Sequence, residues 1–119
     1  MGVGYILVNQ TKKEQIRFIH IPASTARELA GNPVSAAITT WYMLDNRGDN
    51  IAFVSDTYDD WPFLTEMAGK LSDYTDVTND VIKLLLEAGI LVDDGIAWAD
   101  KAKPETIYMR ALRNKWIGT

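Results

Sequence analysis

Five aspartates, Asp45, Asp49, Asp56, Asp59 and Asp60, fall within residues 41–63, WYMLDNRGDNIAFVSDTYDDWPF, interleaved with aromatic side chains. Clustered carboxylates bind a divalent cation, exchange protons in acid–base catalysis, or present a negative surface to a partner. The spacing argues against a calcium loop. With Asp45 in first place, Asp49 stands fifth and Asp56 twelfth, but the cationic Arg47 falls third. Asn50 stands sixth, where such a loop needs glycine. Asp56, Asp59 and Asp60 follow a short apolar run, Ile51–Val54, and so sit at a strand end. That is a common place for magnesium-dependent or acid–base chemistry. They lack the usual companions: no lysine or histidine is close in sequence, and there is no glycine-rich phosphate loop.

The rest of the composition narrows the chemistry further. The chain has 119 residues, 47% of them hydrophobic and 24% charged, enough for one compact domain with a core. It has no cysteine, which excludes disulfides, thiolate metal sites and a cysteine nucleophile, and which fits a reducing cytoplasm. No stretch reads as a secretion signal or as the roughly 20 apolar residues of a membrane span. The single histidine, His20, lies between Ile19 and Ile21 and cannot build a triad or a histidine metal cluster alone.

Charge is unevenly laid out. Residues 1–40 carry four basic and two acidic side chains, residues 41–100 three basic and thirteen acidic, and residues 101–119 five basic and one acidic. The net charge of −4 therefore conceals an acidic middle with basic ends, a field that attracts basic partners and repels nucleic acid.

The elements that must position these groups follow from periodicity and punctuation. Tyr5–Val8 and Ile16–Ile21 read as strands joined by the polar turn 9–14, with His20 on the face opposite Ile19 and Ile21. Ser24 or Thr25 caps a short helix closed by Gly31, and Asn32-Pro33 opens another. Val34, Ala37, Ile38, Trp41 and Leu44 form the expected buried stripe of that second helix. Residues 46–50 break it, with Gly48 supplying a turn, and Asn50–Ser55 is the clearest strand. Pro62 begins a helix with Phe63, Leu64, Met67 and Leu71 inward. Thr78 caps a helix over Asn79–Ala88, with Val81, Leu84, Leu85 and Ala88 inward and Gly89 as the stop. Ile90–Val92 and Ile96–Trp98 flank Asp93-Asp94-Gly95, a tight-hairpin signal. Pro104–Trp116 reads as a helix with Ile107, Ala111, Leu112 and Trp116 inward, although alternation over Ile107–Leu112 also allows a strand. The expected fold is a single α+β domain over residues 1–119, a small antiparallel sheet packed with several short helices.

Two further patterns bear on function. A helix at Val81–Ala88 running into Asp93–Trp98 resembles the end of a winged-helix domain, but Lys83 stands alone against Asp80, Glu87, Asp93 and Asp94, which is poor for phosphate contacts. Trp61 lies in a loop beside Asp59 and Asp60, where it is either an interface anchor or a lid folded over the core.

Tyr5-Ile-Leu-Val-Asn-Gln-Thr-Lys-Lys-Glu14, Gly48-Asp-Asn-Ile-Ala-Phe-Val-Ser-Asp56 and Tyr74-Thr-Asp-Val77 together carry a resemblance. The chain resembles a group of small uncharacterised microbial proteins that share a Y-x-x-V-N-x-T-K-K-E opening, a G-D-x-I-x-x-V-x-D strand and a Y-T-D-[IV] stretch. The resemblance spans roughly the first three quarters of the chain, and it implies no activity, cofactor or catalytic residue.

The expected function is non-catalytic binding of a protein partner with a basic surface, in the manner of immunity or inhibitor proteins that neutralise nuclease-like toxins. Asp56, Tyr58, Asp59, Asp60 and Trp61 are the expected partner-binding residues, with no catalytic residue, metal or cofactor and no direct contact with nucleic acid or membrane. The alternative is a small metal- or ligand-binding enzyme using the aspartates after the central strand. A third reading is a winged-helix-like, nucleic-acid-associated protein. Self-association through Tyr58 and Trp61 is also open.

Overall fold

Alternation along the first strand sets up the layers. In the computed structural model, which describes residues 3–57, 60–63 and 68–117, β1 (Tyr5–Asn9) is central and buried on both faces. Leu7 points into one core with Ile16, Ile38, Val81, Ile82 and Leu85. Ile6 and Val8 point into a second core with Val54, Phe63, Leu71 and Tyr74. Helices cover the first face, and Trp61, Phe63, Leu71 and Tyr74 cover the second.

The sheet runs β3-β1-β2-β4, with β2 at Glu14–Ile16, β3 at Ile51–Ser55 and β4 at Thr75–Asp76. β1 pairs antiparallel with β2 and β3, whereas β4 lies parallel to β2, so the sheet is mixed rather than purely antiparallel. The fold is α+β and compact, as expected. Gln15, buried in β2, ties the second layer down by donating to the carbonyls of Leu71 (3.3 Å) and Tyr74 (2.8 Å).

The second strand is shorter than expected. Phe18 and His20 both adopt left-handed backbone conformations, at φ 54° and 62°, and carry the chain out of the sheet after Ile16. This places His20 half-buried against Tyr108, with ring centroids 3.6 Å apart, instead of exposed on a strand.

Helix α1 (Ala26–Gly31) starts with a reciprocal cap between Thr25 and Glu28. Helix α2 (Pro33–Asp45) is capped by Asn32, whose side-chain oxygen accepts from the Val34 and Ser35 amides. Its buried positions are Val34, Ser35, Ile38 and Tyr42, so the inward stripe is rotated from the expected one and Leu44 is exposed. Tyr42 wins the inward place because its hydroxyl finds polar partners there. Helix α3 (Thr78–Glu87) begins with Thr78 itself helical; the N-cap position is Val77, which offers no side-chain cap, and Asp76 just before it accepts from the Thr78 amide (2.9 Å) and hydroxyl (2.6 Å). Ile82, not Leu84, joins Val81 and Leu85 in the core. Gly89, at φ 76°, turns the chain away from the helix.

Residues 64–67, half of the helix expected after Pro62, lie outside the described residues; Ala68–Asp73 forms a 3₁₀ helix.

The largest correction concerns the C-terminal third. Asp93-Asp94-Gly95 does not make a hairpin turn. β5 continues from Leu91 to Ala99 and pairs antiparallel with β6 (Tyr108–Asn114), with irregularities between Asp93 and Ile96 and between Ile96 and Trp98. The Asp93 carboxylate accepts the Gly95 amide at 2.9 Å, and Gly95 sits at φ 103°, so the turn signal produces a bulge inside a strand. The reversal comes at residues 100–107, where Asp100 accepts the amides of Ala102 and Lys103, each at 2.9 Å. The tail is therefore strand, not helix, and Trp116 is 79% exposed instead of inward. Among the described residues, no helix is long and apolar enough to cross a membrane.

Candidate functional site

The two ends of β3 hold three of the aspartates that stand out in the sequence, Asp49, Asp56 and Asp60, and they treat them differently. At the entry, Asp49 joins a polar network centred on Asn9, which is fully buried. Asn9 donates from Nδ2 to Tyr42 Oη (3.0 Å) and Asp49 Oδ2 (2.9 Å), and its Oδ1 accepts the Lys12 amide (3.1 Å). Tyr42 in turn donates to Glu14 Oε1 at 2.7 Å. Lys12 bridges to Asp49 at 3.2 Å and hydrogen-bonds the Asn46 side chain. Asn9 donating to Asp49, with Lys12 beside it, holds that carboxyl below the usual range. Burial, followed by the hydrogen bond to Glu14, pushes the Tyr42 hydroxyl above the usual phenol range. Asn9, Lys12 and Glu14 belong to the opening decapeptide, and the network gives those residues a structural task. It fastens the β1–β2 turn to the end of α2 and to the loop that enters β3.

At the exit of β3, Asp56 and Asp60 are both exposed. Asp60 accepts the Ser55 amide and hydroxyl, each at 2.9 Å, which lowers its pKa. The Asp56 amide donates to Gly4 at 2.9 Å, and its carboxylate lies over Gly4, where an added Cβ would come within 2.9 Å of Oδ2. Trp61 is half-buried, edge-on to Phe63 with centroids 5.1 Å apart, and packs against the second core. One part of its ring is thus folded over the core while the rest stays accessible. Tyr58 and Asp59 lie outside the described residues. Of the five expected partner-binding residues, Asp56, Asp60 and Trp61 are thus near one strand end, with Asp60 engaged by the backbone. Among the described residues, no group of three or more His, Asp or Glu side chains is arranged to hold a metal ion.

One feature beside these carboxylates escapes sequence reading altogether. β3 is an edge strand. Between its edge and helices α1 and α2 runs a groove of about 340 Å³, walled by Tyr5, Phe53, Ala26, Ala30, Ala36 and Thr40. Phe53 is 38% exposed there. The signal available in the sequence was the apolar run Ile51–Val54, but which edge of the sheet β3 occupies depends on long-range pairing.

The β5–β6 hairpin is the second exposed feature. Every residue from Asp93 to Ala99 is exposed, including Ile96 (58%) and Trp98 (54%). Arg110 pairs with Asp93 at 3.0 Å and Arg113 with Asp94 at 2.8 Å, so the two aspartates that weigh against nucleic acid in the sequence are neutralised across the hairpin. Lys101 and Lys103 sit in its exposed connection.

No family model, curated protein or solved structure matches the chain.

Proposed function

We propose that the protein is a non-catalytic binding module for a basic protein partner, an immunity- or inhibitor-type protein acting in the cytoplasm, with the exit of β3 as its contact surface. The observation that carries this reading is the placing of Asp56 and Asp60, both exposed, at the end of an edge strand whose Phe53 lines an apolar groove. Hydrogen bonds from Ser55 favour the ionised form of Asp60 and lower its pKa. A charged rim next to an apolar contact area is the common anatomy of a protein interface. The charge steers encounter, and the apolar contact supplies affinity. Low-salt capture of a partner, followed by association kinetics of the purified pair at low and high salt, tests the reading. Association that slows steeply with salt and slows again in Asp56→Lys is expected. A salt-independent rate, or a partner that is itself acidic, would overturn it.

A second reading draws on the hairpin. It follows α3 as a wing follows a recognition helix, with Trp98 and two lysines exposed and Asp93 and Asp94 neutralised. Fluorescence anisotropy with a short DNA duplex at low salt tests it: binding lost in Lys101→Glu, Lys103→Glu supports the wing, and no binding removes it.

A further inference from the structure

Resting on the binding reading above, we infer that the partner engages the outer edge of β3 as an added strand, with an apolar side chain in the groove and a basic residue beside Asp56 and Asp60.

The register fixes which backbone groups face outward. Asp56 donates to Gly4, and Gln10 donates to Asn50, each at 2.9 Å, so the even-numbered residues from Asn50 to Asp56 turn their backbone groups toward β1. Hydrogen-bonded and non-bonded pairs alternate in an antiparallel ladder. Ile51, Phe53 and Ser55 therefore point their N–H and C=O groups away from β1. The Asp60 carboxylate, which accepts the outward Ser55 amide at 2.9 Å, confirms that direction. Among the described residues, nothing pairs with the outward groups of Ile51 and Phe53.

Open edges invite pairing, and natural proteins blunt them with lysine, proline or bulges. β3, Ile-Ala-Phe-Val-Ser, has none of these. Its sole guard among the described residues is Asp60, and that guard stands at one end. The exposed Phe53 in the middle is what a strand-binding site needs and what a protected edge avoids.

The side-chain pocket is in the right place. Phe53 faces the helix side of the sheet, with its ring stacked on Phe18 at 6.3 Å between centroids. An incoming residue opposite Phe53 would present its side chain to the same face, between the small residues Ala26 and Ala30 of α1 and Ala36 of α2. The groove's 340 Å³ lies at the lower end of ordinary ligand pockets, roughly 300–1,000 Å³, and accepts a large aliphatic or aromatic side chain. Main-chain bonds then give affinity and the pocket gives specificity, as in other strand-addition sites.

Charge chooses the occupant. At the entry of β3, Lys12 bridges to Asp49 at 3.2 Å and Arg47 lies close in sequence; at the exit, Asp56 and Asp60 have no basic neighbour in sequence among the described residues. Two copies of this chain, each at −4, repel one another, whereas a segment with lysine or arginine at the end beside Ser55 is attracted. The occupant is thus an extended basic segment with apolar residues at every second position, not a second copy.

The test uses the full chain labelled with ¹⁵N and a synthetic peptide of alternating leucine and threonine with two lysines at each end. On binding, amide exchange at Ile51 and Phe53 should slow by about tenfold or more. N-methylation of the leucine amides that face β3, or Ala30→Trp in the groove, should weaken binding by a similar factor. A glutamate-ended peptide should not bind. Four outcomes would overturn the inference: no peptide binding, binding without protection of Ile51 and Phe53, indifference to N-methylation, or equal binding of the glutamate-ended peptide. Protection at Ile51 and Phe53 without peptide, rising with protein concentration alongside a dimer mass, would assign the edge to a second copy instead. A salt-dependent natural partner that leaves this edge unprotected would refute strand addition while leaving the proposed function standing.

Discussion

Asp49 and Asp60 bracket the same strand, carry the same charge and both have lowered pKa values, yet they do different work. Asp49 is one member of a network built on a buried asparagine, with Tyr42, Glu14 and Lys12 as the others. Asp60 holds a strand terminus from the outside, beside an exposed Asp56. One end of β3 is locked and the other is presented. An aspartate count therefore reports the field of the protein; the role of each carboxylate depends on which donors the fold brings to it.

The sharpest way to break this contrast is at Asn9. Asn9→Ala takes a donor from both the Tyr42 hydroxyl and the Asp49 carboxylate and an acceptor from the Lys12 amide, leaving Tyr42 only Glu14 and Asp49 only Lys12, and a loss of about 3 kcal/mol in unfolding free energy is expected by urea denaturation. Asp60→Ala removes acceptors for the Ser55 amide and hydroxyl where water can replace them, so about 1 kcal/mol is expected in the same experiment. Acid should erode both ends. Asp49, Asp60, Asp93 and Glu28 all have folded-state values below their ordinary ones near 4. Their stabilisation is full above the unfolded value and is lost as pH falls through the lowered folded values. Thermal midpoints should thus hold from neutrality to about pH 5 and drop steeply below about pH 4, less steeply in Asp49→Asn. The smallest effect belongs to the exposed pair Arg113–Asp94, where a double-mutant cycle should give about 0.5 kcal/mol or less.

The same contrast explains what could be read from the sequence. Residues whose role is local were legible: Asn32-Pro33 starting α2, Thr25 starting α1, Gly89 ending α3, the apolar run of β3. Roles that depend on distant partners were not. Tyr42 displaced the expected helical stripe because Asn9, 33 residues away in sequence, meets its hydroxyl. Asp93-Asp94-Gly95 carries a strong hairpin signal, yet pairing with Tyr108–Asn114 and the bridges to Arg110 and Arg113 turned it into a bulge. Trp116 had helical spacing but lies past the end of a strand. The acidic exit of β3 was visible as composition; its open edge and groove were not, because both depend on where β3 sits in the sheet.

Association kinetics of the wild-type chain and of Asp56→Lys with the captured partner, followed from low to high salt, decide whether the exit of β3 is the contact surface. Among the described residues Asp56 makes no side-chain hydrogen bond or ion pair, so the substitution should leave stability within about 0.5 kcal/mol. The expected result is a wild-type on-rate that falls steeply with salt and a variant on-rate that is slower at low salt and converges with it at high salt. Equal on-rates for the two proteins at every salt concentration would contradict the account.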